Sequence, residues 1–281
     1  MLIGLFTLIA VAVAAGLTLL CNGFTDFNWL WLMPVVFLGT FIIELVMLFV
    51  LIWIMAKCVN MEKEQEKDNK FYRFIVNQTI NLIIMLLPVK IDVEGLEKRP
   101  KAKRIMLVSN HIHDIDPAII IQYFRKYELS FISKKENEKK FLIGPFLHAI
   151  LCLSINREND REALKAILRC IDLLKKDEVS IGAFPEGYTS LDGLLHPFRP
   201  GVFKIAQRAK VPIVVCTLRG TPTVLKNTMK LKSSRVQLKI LAVIEPEEYE
   251  SLTAVELSDR VHKLMADDLG PDMVLQVQEN T

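Results

Sequence analysis

The sequence predicts an α/β domain with a mostly parallel sheet and helices on both faces, preceded by an N-terminal transmembrane helical hairpin. From about residue 89 onward, short apolar runs alternate with segments of helical periodicity, which is typical of βαβ units. Before that stretch lie two long segments that are almost free of charge. The whole chain of 281 residues is 51% hydrophobic, which is high for a soluble protein.

The hairpin is predicted from two apolar runs. Residues 2–20 contain no charged side chain, and residues 29–55 contain only Glu44. At about 1.5 Å per residue, the first run reaches roughly the 30 Å thickness of a bilayer core and the second exceeds it. A cleaved signal peptide is the competing interpretation, but the first run has no basic start and Leu20 precedes Cys21 where a lipoprotein signal has a small residue. We interpret Glu44 as a neutral acid hydrogen-bonded across the helix pair.

Basic residues set the predicted orientation. They follow the second run, whereas residues 21–28 between the runs contain neither lysine nor arginine. This asymmetry predicts a protein of the cell membrane whose domain after the hairpin lies on the cytoplasmic side. The basic residues concerned are Lys57, Lys63, Lys67, Lys70 and Arg73.

Composition excludes several other classes. The net charge of +3 is too small to indicate a nucleic-acid partner. The five cysteines are odd in number and have no CxxC spacing, so we expect reduced thiols rather than disulfides. There is no glycine-rich loop of the nucleotide-binding kinds.

Three parts are predicted along the chain. Residues 1–60 form the membrane hairpin, residues 61–88 a charged linker and an amphipathic helix, and residues 89–281 the cytoplasmic domain. The helix at 71–87 has polar residues on one side, which suits either a helix in the membrane interface or an ordinary core helix. Within the domain, strands are predicted at 89–93, 105–108, 129–133, 151–155, 179–184, 211–218 and 235–244, and helices at 117–124, 160–174, 201–210 and 253–268.

The loop at residues 109–117 is the candidate site, because it follows a buried strand and is densely polar. A histidine beside carboxylates at this spacing indicates a general base with an orienting partner. Pro117 predicts that residue 116 is extended, so Asp116 could fold back on His111 or cap the next helix. His111, His113 and Asp116 also offer metal ligands, but they lack the HxHxDH spacing of metallo-hydrolases, and no metal is predicted.

Several short blocks in this chain resemble those of one family. Asn110-His111 followed by Asp116 resembles the NHxxxxD signature of glycerolipid acyltransferases, and residues 184–187 resemble their FPEG block. Residues 155–157 and 211–214 are similar to two further blocks, as are residues 131–135 to a segment between the first two. The blocks occur in the family's order over residues 89–244, and the 1-acylglycerol-3-phosphate (lysophosphatidic acid) acyltransferases are the most similar branch.

The resemblance implies a role for each matched residue. His111 would be the general base and Asp116 the residue that holds its imidazole. Pro212 would lie on the strand that flanks the acyl-donor site. The substrate-binding residues would be Asn110, Lys134, Arg157, Glu186 and Gly187.

The implied reaction moves a fatty acyl group from an acyl thioester, acyl-CoA or acyl carrier protein, to the hydroxyl of 1-acylglycerol-3-phosphate, giving phosphatidic acid. The donor is a substrate, and no cofactor is expected. One departure bears on the acceptor, since the family block continues FPEG-Thr-Arg-Ser whereas this chain has Thr189 in the place of the arginine. Arg199, Lys204 or Arg157 could replace it. The alternatives are a different lysolipid acceptor and a membrane-anchored protein that binds lipid without turnover.

Overall fold

The computed structural model describes residues 2–21, 29–155 and 159–275. The contacts between residues divide the chain into two compact units, Met1–Glu62 and Lys63–Thr281.

The first unit contains the two predicted apolar helices, α1 (Leu2–Leu20) and α2 (Trp29–Cys58). By length and composition, Leu30–Cys58 is long and apolar enough to cross a membrane, whereas the apolar helix Gly4–Leu20 is shorter. The connection at 22–28 lies outside the described residues. Both carboxylate oxygens of Glu44 are shielded from solvent, and neither has a hydrogen-bond partner in the described part of the chain. The hydrogen bond predicted for Glu44 across the helix pair is therefore not formed there.

The second unit is built on a mixed sheet whose strand order is β1-β7-β6-β2-β5-β3-β4. Neighbouring strands run parallel except β6 and β7, which are antiparallel, so the predicted mostly parallel sheet is confirmed. The strands are β1 (Val89–Glu94), β2 (Met106–Ser109), β3 (Leu129–Lys134), β4 (Leu153–Ile155), β5 (Ser180–Ala183), β6 (Ile213–Arg219) and β7 (Ser234–Ile244).

Helices cover both faces of the sheet, as predicted. The helices of the second unit are α3 (Lys70–Leu86), α4 (Asp116–Tyr123), α5 (Lys135–Glu138), α6 (Ile143–Ala149), α7 (Asp160–Lys175), α8 (Lys204–Ala209), α9 (Thr223–Thr228), α10 (Pro246–Tyr249) and α11 (Ala254–Leu269). Helices α7, α8 and α11 bury their apolar faces in one core cluster, and α3 and α4 in the other. In β2, Met106 and Val108 belong to the first cluster and Leu107 to the second, because side chains alternate along a strand. This burial on both faces explains why β2 is a continuous apolar run.

The buried arginine Arg73 holds α3 against the sheet. Its side chain is 7% exposed and forms an ion pair with Asp68 at 2.7 Å. The same guanidinium donates to the Ser130 hydroxyl at 2.9 Å and to the carbonyls of Leu129 and Ile150 at 2.8 and 3.0 Å. Arg73 was predicted to mark the cytoplasmic flank of the membrane helix, but in the structure its charge is used inside the domain.

The start of α4 differs from the sequence prediction. Asp116 is the first residue of the helix, so the predicted extended conformation of residue 116 is wrong. Ile115 already has helical dihedrals (φ −82°, ψ −14°), and the Asp116 N–H donates to the His113 carbonyl at 3.0 Å. This hydrogen-bonded turn overrides the preference of a residue before proline for extended backbone.

Four short helices were not predicted: α5, α6, α9 and α10. Each has between four and seven residues, which is too short for apolar periodicity to show in the sequence.

Candidate active site

Asn110 anchors the polar loop to the sheet just where β2 ends. Ser109, the last residue of β2, pairs with Cys216. Beyond it the Asn110 side chain donates to the Leu218 carbonyl at 2.9 Å and accepts from the Leu218 N–H at 2.8 Å. The amide therefore continues the strand pairing by one step. Asn110 is 1% exposed, so the structure places it behind the loop rather than on a substrate-accessible surface.

His111 and Asp116 are in direct contact. Nδ1 of His111 lies 3.0 Å from Oδ2 of Asp116, and the aspartate side chain is fully buried. The same oxygen accepts the backbone N–H groups of Ile112 and His113, both at 2.8 Å. Of the two alternatives for Asp116, the carboxylate therefore folds back on His111 and satisfies the N–H groups of its own loop.

This arrangement determines which imidazole nitrogen carries the proton and which keeps its lone pair. An oxygen that already receives two N–H donors acts as an acceptor, so Nδ1 of His111 carries the proton that bonds Asp116. Nε2 is left with its lone pair, and it lies 3.0 Å from Oγ1 of Thr189. The hydroxyl of Thr189 thus donates to the atom that a general base would use.

Glu186 joins three loop segments from inside the protein. Its Oε1 accepts the His111 N–H at 2.8 Å, and its Oε2 accepts the Ser190 hydroxyl at 2.5 Å and the His196 N–H at 3.0 Å. The residue is 1% exposed, and burial raises the pKa of its carboxyl although these hydrogen bonds oppose the rise. Ser190 N–H in turn donates to the His111 carbonyl at 2.7 Å. Glu186 therefore positions His111 from behind.

A stack of aromatic rings supports the imidazole. The His111 ring lies parallel to the Phe184 ring, with 4.1 Å between centroids and 14° between planes. Phe184 stacks in turn on Phe131 at 5.3 Å. The imidazole is thereby held by Asp116 and by two stacked rings, Phe184 just after β5 and Phe131 in the middle of β3.

Gly187 occupies a turn that needs glycine. Its φ is +87°, a backbone conformation that side chains rarely adopt, and its N–H donates to the Phe184 carbonyl at 3.0 Å. A Cβ at this position would lie 2.9 Å from Nε of Arg199. Arg199, one of the three candidates for the missing cation, therefore lies beside the FPEG turn.

A cavity of about 560 Å³ opens at the carboxyl ends of β2, β5 and β3, and His111 lines it. The cavity combines apolar surface with charged groups, as suits an amphipathic ligand. Lys134 lines it, as does Lys140, which the sequence analysis did not single out. The remaining lining residues are Asp114, Pro117, Phe131, Ile132, Ser133, Glu136, Asn137, Ile155, Phe184 and Thr189.

Other predicted positions lie elsewhere. Arg157 is outside the described residues, so its predicted role stays a prediction. Pro212 precedes β6, and its carbonyl accepts the N–H of Met106, the first residue of β2, so it lies at the end of the sheet opposite the polar loop. Among the described residues, no group of three histidines, cysteines or carboxylates could hold a metal ion. Nδ1 of His113 accepts the Ile115 N–H at 3.3 Å.

The fold and this site together describe an α/β domain with a His–Asp pair at the carboxyl edge of its sheet. Residues 90–219 match the family model described as Acyltransferase. The resemblance found in the sequence motifs is thereby confirmed.

Relatives and a solved structure point the same way. The chain is 34% identical over 153 residues to a chloroplastic 1-acyl-sn-glycerol-3-phosphate acyltransferase of Brassica napus, covering 54% of this chain and 43% of that protein. It is 29% identical over 166 residues to a probable enzyme of the same name from Mycoplasma pneumoniae, covering 58% and 61%. The chain thus spans about half the length of these relatives. The crystal structure of the lysophosphatidic acid acyltransferase PlsC from Thermotoga maritima shares the fold, with a TM-score of 0.58, 22% identity and coverage of 74% and 83%.

Proposed function

We propose that this protein is a membrane-bound acyltransferase that moves a fatty acyl group from an acyl thioester to the hydroxyl of 1-acylglycerol-3-phosphate, giving phosphatidic acid. The observation that carries the proposal is the His111–Asp116 pair, because His111 lines a cavity whose walls are both apolar and basic. The names of the relatives support the same acceptor and reaction type.

His111 would act as the general base. As the acceptor hydroxyl attacks the acyl carbonyl carbon, its proton passes to Nε2, and the C–S bond of the donor breaks. The departing thiolate then takes that proton from Nε2. Asp116 stabilises the imidazolium formed in between, and a base held in this way typically contributes about 10²- to 10⁴-fold.

The acceptor headgroup would be held by the basic residues around the cavity. Lys134 and Lys140 line it directly, and Arg199 lies beside Gly187 at the turn that carries Thr189. These cations support a phosphate-bearing acceptor even though the family arginine is replaced at 189. Because this replacement changes the position of the positive charge, a different lysolipid is the alternative acceptor.

Membrane association is supported by two exposed apolar strips of the second unit. One lies on α3, and the other begins on α9 and continues beyond it. The exposed apolar residues are Phe71, Phe74, Ile83, Met85, Leu86, Leu225, Met229 and Leu231, and Lys226, Lys230 and Lys232 lie among the last three. Apolar side chains interleaved with lysines suit the surface of an anionic bilayer. We infer a location at the cell membrane, with the domain on the cytoplasmic side.

A transfer assay with the full chain in vesicles tests the proposal. Labelled acyl-CoA and acyl carrier protein thioesters are each paired with lysophosphatidic acid and with lysolipids that carry other headgroups, in the presence of a chelator. We expect labelled phosphatidic acid from at least one donor. Transfer only to lysolipids with other headgroups, and not to lysophosphatidic acid, would replace the proposed acceptor. The absence of any transfer would favour a protein that binds lipid without turnover.

A further inference from the structure

The Thr189 hydroxyl occupies the position on His111 that an incoming hydroxyl has to take. A neutral imidazole accepts a hydrogen bond through one ring nitrogen only, which has a single lone pair in the plane of the ring. In His111 this atom is Nε2, because Nδ1 carries the proton that bonds Oδ2 of Asp116 at 3.0 Å. Oγ1 of Thr189 lies 3.0 Å from Nε2. A second hydroxyl therefore reaches this nitrogen only when Thr189 releases it.

Thr189 is able to release the base without any movement of its backbone. The turn is fixed on both sides, because the Ser190 N–H bonds the His111 carbonyl at 2.7 Å and the Gly187 N–H bonds the Phe184 carbonyl at 3.0 Å. The Thr189 side chain is half-buried and lines the cavity of about 560 Å³. A rotation about χ1 to another staggered rotamer takes the hydroxyl away from Nε2. We call this reversible contact the Thr189 cap.

The cap affects water and a lysolipid differently. A typical intramolecular hydrogen bond favours the bonded state by about 2- to 10-fold, and every incoming hydroxyl has to overcome it. In the proposed function the acceptor also contacts Lys134, Lys140 and the apolar wall at Phe131, and binding energy from such remote contacts is available at the reacting centre. A water molecule has no remote contacts. The cap therefore holds back water more than it holds back a bound lysolipid.

We propose that Thr189 is a specificity-determining residue that selects the lysolipid hydroxyl over water at the base. The inference rests on the direct acyl transfer of the proposed function. With only the thioester bound, the Thr189 hydroxyl stays on Nε2 of His111. When the lysolipid binds, its hydroxyl takes that place, gives its proton to Nε2 and attacks the thioester carbonyl carbon. The C–S bond breaks, the thiolate takes the proton from Nε2, and Thr189 itself forms no covalent bond.

Hydrolysis of the donor is the competing reaction that the cap limits. A water molecule on Nε2 would give its proton to His111 and attack the same carbonyl carbon, and the C–S bond would break to leave a fatty acid and a thiol. In the family block that this turn resembles, position 189 is an arginine. The cap is therefore a feature of this chain that the resemblance does not supply.

The test compares hydrolysis with transfer in the full chain in detergent. Labelled acyl-CoA and acyl carrier protein thioesters are first supplied without acceptor, and the labelled fatty acid that is released is measured. Lysophosphatidic acid is then added over a range of concentrations, and labelled phosphatidic acid is measured. For Thr189→Ala we expect hydrolysis to rise about 2- to 10-fold, the KM for lysophosphatidic acid to fall by a similar factor, and the kcat of transfer to stay within about twofold.

Three further variants show that the hydroxyl and the base are responsible. Thr189→Ser keeps a hydroxyl and should retain the wild-type ratio of transfer to hydrolysis. Thr228→Ala is the matched control, because the hydroxyl of Thr228 bonds the Val224 carbonyl of its own helix at 2.8 Å, and it should behave as wild type. Adding His111→Gln to Thr189→Ala should abolish the extra hydrolysis. Thermal unfolding checks that each variant is folded.

Each outcome decides the proposal. A folded Thr189→Ala variant that hydrolyses and transfers at the wild-type rates overturns the cap and leaves the proposed function intact. A parallel loss of both activities does the same, because Thr189 would then support the base rather than keep water from it. A wild-type chain that hydrolyses the thioester but acylates no lysolipid overturns both the cap and the proposed function.

Discussion

Gly182 lies directly against the ring of Phe131, and a Cβ built on this glycine would come within 2.6 Å of two of its ring carbons. The ring of Phe131 is the base of the stack that continues through Phe184 to the imidazole of His111. A glycine in the middle of a buried strand normally weakens it. Here it makes room for the ring on which the position of the base depends.

The Gly182→Ala variant should therefore lose activity while remaining folded. The added methyl must displace the Phe131 ring, and with it Phe184 and the imidazole. A shift of about 1 Å in a catalytic group can lower the rate by about 10²-fold, and we expect a loss of that order in acyl transfer. Gly201→Ala is the control, because a Cβ there meets no atom within 4 Å. Equal activity of the two variants would show that the stack does not position His111.

Asp116→Asn should reduce turnover more than it reduces stability. All three donors meet the same oxygen, Oδ2, so an asparagine oxygen in that place can still accept them, but it lacks the negative charge that stabilises the imidazolium. By analogy with the same exchange in serine proteases, we expect the turnover number to fall by about 10⁴-fold. Steady-state kinetics in vesicles measure the loss, and thermal unfolding in detergent checks the fold. A turnover number that falls by less than about tenfold would argue against Asp116 as the orienting group.

Glu186→Gln should change the pH dependence of stability. The native pKa of Glu186 is raised from 4.5, so between that value and the native one the folded chain binds more protons than the unfolded chain. The free energy of unfolding of the wild type must then fall as pH rises through this window. The variant lacks this titrating carboxyl, so its free energy of unfolding should fall less steeply as pH rises. At pH values above the native pKa, where the wild-type carboxylate accepts all three donors, it should also lose about 1–3 kcal/mol, because its amide leaves one of them unpaired.

Denaturant titrations of the full chain in detergent at several pH values measure both effects. The exposed Glu97→Gln variant is the matched control for the loss of one carboxylate. If the free energy of unfolding of Glu186→Gln falls with pH as steeply as that of the wild type, burial does not raise the pKa of Glu186 as described.

Thiol labelling tests the membrane orientation. Cys21 and Cys58, at the ends of α1 and α2, are exposed, whereas Cys152, Cys170 and Cys216 are buried. Burial raises the pKa of Cys152 to about 11 and of Cys170 to about 12, and that of Cys216 is raised as well, so these three should not react.

In intact cells a membrane-impermeant maleimide should label Cys21 and spare Cys58. In inside-out vesicles the pattern should reverse. Cys21→Ser and Cys58→Ser variants assign the signal. Labelling of both cysteines from one side would exclude a hairpin that spans the membrane.

The sequence was sufficient to predict the sheet, because the strands of the core are continuous apolar runs separated by clear helical periods. The sequence also predicted which loops contribute to the site. His111 follows β2, Glu186 follows β5 and Lys134 ends β3, and these parallel strands are neighbours whose carboxyl ends share one edge.

The contacts inside the site were not predictable in the same way. Asn110 bonds Leu218, which is 108 positions away, and Thr189 bonds His111, which is 78 positions away. Neither pairing leaves a periodic pattern. Thr189 drew attention in the sequence only as a missing arginine, and its hydrogen bond depends on the turn at Gly187. The conformation of residue 116 was mispredicted because a local turn hydrogen bond outweighed the steric effect of Pro117.

In the proposed function the imidazole of His111 moves the proton of an acyl transfer, and one comparison tests this role most directly. Initial rates of labelled acyl transfer from thioester to lysophosphatidic acid are measured for wild type, His111→Gln and His148→Gln, all in the same vesicles. His148 lies outside the site and contacts the Lys63 carbonyl. We predict that His111→Gln loses at least about 10²-fold while His148→Gln keeps the wild-type rate. A folded His111→Gln variant that transfers acyl groups as fast as the wild type would contradict the account.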